Sequence, residues 1–481
     1  MLVLSLTLIA GPAFAAVPEV FGLGARWSAL AGAGAAVVAD GTATYTNPAG
    51  LAGVERPQAS LGLSGAAARF KASPSVWWDT DRDGLLTSDD PPLDWQPEMP
   101  PAVGLQLALA RQIGSRFGIG AVAYVPTSTL IRFRTFEPAL PTYPLWENRL
   151  NRFVLTAGLG GEIAPGLQLG VAVDLLAKVD VDVVATVEAR AVPPDTAGSS
   201  QDDLVVDFHT VDLDVKPALA PVVGLQLDLG EWSSALRGLR VGAGYHAPVG
   251  LPLVVRADIQ ANLGLEGVGE LDPYVAAVVA TSELVLFDHY VPPRLQLGAS
   301  WEWSDRLLLV ADTRFTDWRQ FELSVARAAD AMVISPLVDV DTWRDGNPVR
   351  AELRSVWSLR CGTEVWSPEW DAGRRFRYLR LAGRAGLGLE PSPLVSQGPS
   401  TALLDSGRVM MTAGMGMETW DPLGLTDGAM RLDVFGQLHV LATASLPRTS
   451  AAPRAGYPVA SDRIPVGGRI LVAGGQWSFD Y

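Results

Sequence analysis

The chain closes on Leu471-Val472-Ala473-Gly474-Gly475-Gln476-Trp477-Ser478-Phe479-Asp480-Tyr481. Counting back from Tyr481, the residues Phe479, Trp477, Ala473 and Leu471 share one face, while Asp480, Ser478 and Gln476 share the other. Apolar residues at every second position over about ten residues mark a transmembrane strand, because one face meets lipid and the other a polar lumen. Arg294 to Trp303 repeats the pattern, with Leu295, Leu297, Ala299, Trp301 and Trp303 outward and Arg294, Gln296, Ser300 and Glu302 inward. Met430 to Ala442 sets Leu432, Val434, Leu438 and Val440 against Arg431, Asp433, Gln437 and His439. A soluble strand rarely carries so many charges on its protected face.

Extending this template along the chain predicts fourteen strands, beginning near Gln58, Ala102, Arg116, Arg152, Leu167, Asp212, Leu239, Arg294, Leu307, Ala351, Arg375, Gly407, Ala429 and Gly467. Six short links alternate with seven long ones. The long ones include Lys71 to Pro101, Val125 to Asn151, Val181 to Val211 and Pro248 to Pro293. The expectation is an all-β fold: a fourteen-stranded antiparallel transmembrane β-barrel over residues 58–481 with both termini in the periplasm.

Composition agrees. With 49 Gly, 35 Pro and only 19% charged residues, the chain suits short strands joined by many turns. A net charge of −15 argues against nucleic acid, which requires a basic surface. Residues 1–15, MLVLSLTLIAGPAFA, read as a signal peptide with a small-x-small cleavage pattern at Ala13-Phe14-Ala15, although no Lys or Arg precedes the apolar run. Beyond it no window offers about eighteen consecutive apolar residues, so any membrane crossing falls to strands. The single Cys361 excludes an intramolecular disulfide and reads as a buried or lipid-facing filler.

Between the signal and the first strand, residues 16–57 read as a plug. Their centre, Gly22 to Ala52, is GLGARWSALAGAGAAVVADGTATYTNPAGLA. This stretch, with its Asn47-Pro48-Ala49 triplet, resembles the N-terminal hatch of the FadL family of outer-membrane channels for long-chain fatty acids and other hydrophobic compounds. Gly244-Tyr245-His246-Ala247-Pro248, Val291 to Gly298, Phe315-Thr316-Asp317-Trp318 and Leu404 to Arg408 look like further family segments, in the family's order. The resemblance implies an outer-membrane location, capture of apolar molecules at extracellular loops, and release by movement of the hatch. It implies lateral discharge at a distorted third strand, here Arg116 to Tyr124, where Gly118 and Gly120 make deformation cheap. It also implies helices in the third and fourth extracellular loops that receive substrate. Pro273 to Ala280, PYVAAVVA, lies in the fourth and follows Asp272, a possible helix cap. Tyr274, Val275, Val278 and Val279 are therefore capture candidates, unless they only anchor the loop. The aromatic C-terminus resembles the signal read by barrel-assembly machinery, and outer-membrane lipid and lipopolysaccharide are the expected surroundings. Asn47, Pro48 and Ala49 either gate the pore or end a turn before the first strand.

Catalysis finds no support: His209, His246, His289 and His439 are scattered, without an HExxH or a nucleophile elbow. One loop carries specific chemistry. Asp79, Asp81, Asp83, Leu85 and Asp90 occupy positions 1, 3, 5, 7 and 12 of an EF-hand-like calcium loop with Gly84 at the turn, the last ligand being Asp rather than Glu. The plainer reading is an acidic, solvated loop. Two functions remain open: passive transport of hydrophobic molecules, or a non-transporting barrel that assists assembly or secretion.

Overall fold

In the computed structural model, residues 21–71, 76–78, 87, 89–92, 101–127, 141–143, 145–146, 153–191, 204–265, 276–321, 326–327, 331–334, 342–343, 352–396, 403–420, 424, 428–447, 458–460 and 463–481 are described. The signal segment lies outside them. Fourteen strands form one closed wall. They are β1 (Gln58–Phe70), β2 (Ala102–Ile113), β3 (Phe117–Pro126), β4 (Val154–Ala164) and β5 (Leu167–Ala191). Next come β6 (Leu204–Asp228), β7 (Leu239–His246), β8 (Arg294–Ser304), β9 (Leu307–Asp317) and β10 (Ser355–Trp366). The circuit ends with β11 (Tyr378–Glu390), β12 (Arg408–Trp420), β13 (Ala429–Pro447) and β14 (Arg463–Asp480). Each pairs antiparallel with the next, and β14 returns to β1 from Gln58↔Asp480 to Phe70↔Gly468. Closure removes every free sheet edge from the apolar zone, where an unpaired backbone group has no water to bond.

The wall is inside out relative to a soluble protein. Leu61, Leu105, Val171, Leu297, Leu359 and Leu471 are exposed on the outer face, while Gln106, Asp174, Gln226, Arg314, Arg360 and Asp433 are buried inside. Cys361 is also exposed on the outer face. Trp301, Trp303 and Trp477 lie near the ends of their strands, Trp301 and Trp303 with ring centroids 4.5 Å apart, as expected for an interfacial girdle.

The third and fourth long links differ from the expected loops. β5 and β6 run far past Val181 and Val211 and stay paired to Ala189↔Leu204. The predicted loop from Pro248 to Pro293 holds a second hairpin, Val249–Leu265 with Ala276–Val291, which pairs parallel to β5. The helix expected over Pro273 to Ala280 is corrected accordingly: from Ala276 onward that segment is a strand, with Val278 opposite Ala261 and Val279 opposite Gln260. Val275, Val278 and Val279 are β-branched, and partner strands on either side outweigh a local helix-cap signal. Tyr274 and Val275 lie outside the described residues.

Candidate functional site

The barrel encloses the segment from Phe21 to Pro57, whose only regular structure is two short helices, Ala25–Ala29 and Ala43–Thr46, and a 3₁₀ turn at Pro48–Gly53. Its small side chains let the backbone lie against the wall, and Ala29, Leu30, Asn47, Ala49 and Leu51 are fully buried. A backbone with so few internal bonds needs outside partners. Wall side chains supply them. Gly24 N donates to Gln106 Oε1 at 2.7 Å and Ala25 N to Gln476 Oε1 at 2.9 Å. Gly34 N and Ala35 N both donate to Asp312 Oδ2, at 2.9 and 3.1 Å. Thr412 Oγ1 accepts from Ala31 N at 3.2 Å and donates to Ala29 O at 2.7 Å. Gln437 donates to Ser28 O at 2.8 Å and Arg360 to Ala31 O at 3.0 Å.

The Asn47-Pro48-Ala49 triplet does two jobs at once. Asn47 Oδ1 accepts from Ala49 N at 3.2 Å and caps the 3₁₀ turn that Pro48 opens. Its Nδ2 donates to Ala35 O at 2.6 Å within the plug and to Leu225 O of β6 at 3.1 Å. The triplet sits in a cradle of inward-facing glycines on consecutive strands. A Cβ on Gly160 or Gly170 would collide with the Pro48 backbone, and one on Gly224 with the Asn47 side chain.

The third strand, where the resemblance places a lateral gate, is regularly paired in this structure. β3 pairs without a bulge with β2 from Gly104↔Pro126 to Ile113↔Phe117, and with β4 from Phe117↔Gly161 to Tyr124↔Val154. Gly118 and Gly120 let the plug approach closely: a Cβ on the first would strike Leu51 O, and one on the second Thr44 and Leu51 of the plug.

Ion pairs latch the plug near the end that carries the short links. Arg26 of the plug binds Glu364 of β10 through Nε at 2.8 Å and a terminal nitrogen at 2.6 Å. Arg384 Nε donates to the same carboxylate at 2.6 Å, and Arg384 also pairs with Asp433 at 2.5 Å. Asp433 thus belongs to the latch rather than to a generic polar lining. Around it a polar cavity of about 310 Å³ is lined by Arg26, Glu364, Arg384, Glu418, Arg431 and Asp433. On the other side of the plug, Tyr45 meets His246 edge-on at 5.4 Å and lies 4.8 Å beneath the Arg294 guanidinium. Beyond it toward the long links, Phe21, Tyr143, Trp146, Leu404 and Phe435 form an apolar cluster. The plug therefore lies between a charged cavity and a region where this aromatic cluster adjoins the buried Arg360–Glu390–Arg408 ion pairs.

Of the calcium-loop residues, Asp79, Asp81, Asp83 and Leu85 lie outside the described residues. Asp90 is buried, and its Oδ2 accepts from Thr87 N at 2.8 Å.

Among the described residues no helix is long and apolar enough to cross a membrane. A closed fourteen-stranded wall with an aliphatic outer face and an N-terminal plug defines a plug-bearing transmembrane β-barrel. The chain belongs to the outer membrane protein transport protein family (OMPP1/FadL/TodX), which it matches over residues 6–427. It is similar in structure to a Pseudomonas aeruginosa FadL homologue, with a TM-score of 0.54 and 15% identity over 97% of this chain and 99% of that one. The P. putida toluene transporter TodX is similar with a TM-score of 0.46 and 14% identity, over 96% of this chain and 99% of that one. No curated protein sequence matches the chain. It is thus a β-barrel of an outer-membrane family that transports hydrophobic compounds.

Proposed function

We propose that this barrel passes hydrophobic molecules, fatty acids or aromatic hydrocarbons, across the outer membrane without an energy source, and that the plug from Phe21 to Pro57 is its gate. The observation that carries this reading is the plug's attachment. Hydrogen bonds and an ion-pair latch, rather than covalent links, hold it across the lumen. The plug thus stands in the path along the barrel axis, so passage by that route requires it to move. On this reading both termini are periplasmic and entry is from the end with the long links.

The test is a reversible lock. A Cβ on Gly362 would lie 3.0 Å from the Leu30 Cβ, closer than the roughly 3.5–4.5 Å of a relaxed disulfide, so the crosslink forms with a small outward shift of the plug. In a Cys361→Ser background, Leu30→Cys with Gly362→Cys should abolish uptake of radiolabelled palmitate and toluene under oxidation and restore it with reductant. Uptake that ignores the lock removes the plug as gate, and uptake equal in cells lacking the gene removes transport altogether.

A further inference from the structure

One buried cation where plug meets wall has no carboxylate partner among the described residues. Arg294, the first residue of β8, is only 2% exposed. Its Nη2 lies 3.1 Å from His246 Nδ1 and 3.0 Å from His246 Nε2, and its guanidinium faces the Tyr45 ring of the plug at 4.8 Å. A histidine ring nitrogen and an aromatic face offer electron density but no negative charge. Arg294 Nε is buried with no hydrogen-bond partner among the described residues. Asp312, a carboxylate on the next strand, is committed instead to Gly34 N, Ala35 N and Gln296 Nε2.

Arg294 borders a cavity of about 60 Å³ between plug and wall, lined also by Tyr45, Thr46, Gln296, Arg314 and Gln437. Gln296 stands opposite Arg314 across the β8–β9 pair and accepts from its Nη2 at 3.0 Å, which brings the second guanidinium to the same cavity. No Asp or Glu is among the described residues that line it. We infer that this cavity binds a small monovalent anion, chloride in ordinary solution, which supplies the countercharge that Arg294 lacks. Guanidinium groups donate and never accept, so two of them at one small cavity select an acceptor that carries negative charge. Water in the same place would solvate Arg294 without neutralising it, and a buried charge left unpaired is costly. Size sets the class of anion: the cavity takes a halide with a few waters but not the chain of a fatty acid. The site therefore requires neither transport by the barrel nor movement of the plug.

Equilibrium dialysis of the full chain in detergent against radiolabelled chloride, with gluconate holding the ionic strength constant and protein-free micelles as blank, reads the site directly. The native chain should bind chloride saturably, and Arg294→Met should weaken that binding at least about tenfold, as expected for loss of a charged hydrogen-bond donor. Arg319→Gln removes an equal charge from an exposed pair with Asp317 and should leave chloride binding unchanged. Absence of saturable binding in the native chain, unchanged binding in Arg294→Met, or equal weakening in both variants overturns the site. Displacement of chloride by octanoate would assign the two guanidinium groups to a substrate carboxylate and overturn the halide. Should Arg294→Met lack the heat-modifiable mobility of a closed barrel, crystals of the native chain grown in bromide carry the test. An anomalous peak in the cavity beside Arg294 supports the site, and a cavity without one overturns it. Neither measurement involves membrane crossing, so a failure of uptake and a failure of this site are read separately.

Discussion

Asn47 Nδ2 of the plug lies 3.1 Å from the carbonyl oxygen of Leu225 in the wall, and this bond joins two parts of the chain 178 residues apart. The same amide group also holds Ala35 O and the Ala49 amide. Removing it with Asn47→Ala leaves buried backbone groups short of a partner, at about 1–3 kcal/mol each. The Ala49 amide should then exchange hydrogen at least about tenfold faster, with the wall amides of β6 unchanged. Unaltered exchange at Ala49 would show that Asn47 does not hold the plug.

Gly170 of β5 faces the backbone of Pro48 and Ala49, which cannot swing aside as a flexible side chain can. Gly170→Ala should displace the plug and raise single-channel conductance in planar bilayers. Gly383→Ala is the control, because a Cβ there meets nothing within 4 Å. Equal conductance in both variants would sink the cradle argument.

Glu364 accepts from Arg26 and Arg384 together and its side chain is 1% exposed. Glu364→Gln leaves two guanidinium groups facing a neutral amide, a loss of about 3 kcal/mol where a buried pair is broken. The temperature of the heat-modifiable transition should fall. Arg26→Met should recover part of that loss in the double variant, and strictly additive effects would mean that the two side chains are not coupled.

Burial pushes the Tyr143 hydroxyl up to about 12. The docked segment around Tyr143 thus holds this proton more tightly than a free tyrosine does. Its docking is at full strength below pH about 10 and is lost as pH rises through about 12. Hydrogen exchange at the Trp146 amide, relative to its unprotected rate, should accordingly rise across that window in the native chain and stay level in Tyr143→Phe. A rise that persists in the phenylalanine variant would assign it to another group.

The acidic loop from Asp79 to Asp90 predicts calcium binding. Calorimetric titration of the full chain with calcium chloride should give a saturable heat that Asp81→Asn with Asp83→Asn removes. A flat titration of the native chain would leave the segment as a solvated loop.

Strand identity was legible because alternation is a local property. Leu295, Leu297 and Trp301 are exposed on the outer face and Arg294, Gln296 and Ser300 are buried inside, as their spacing predicts. Alternation was also present in Val181-Asp182-Val183, inside what read as a loop, but it became a strand only opposite Val211, Asp212 and Leu213. Gly118 and Gly120 illustrate the opposite failure. Their freedom to bend was visible, whereas their use as room for Leu51 was not.

By itself the sequence determined the barrel and its strand count, since period-two patterning and an apolar outer face act between neighbours along one strand, while the plug was expected from its resemblance to a family hatch. Tertiary structure alone decided which glycines cradle Asn47-Pro48-Ala49, that Arg26 finds Glu364, and that Tyr143 stacks on Phe70 and Trp146 on Arg408. Each of these joins residues far apart in the chain, and only closure of the wall around the plug brings them within bonding distance.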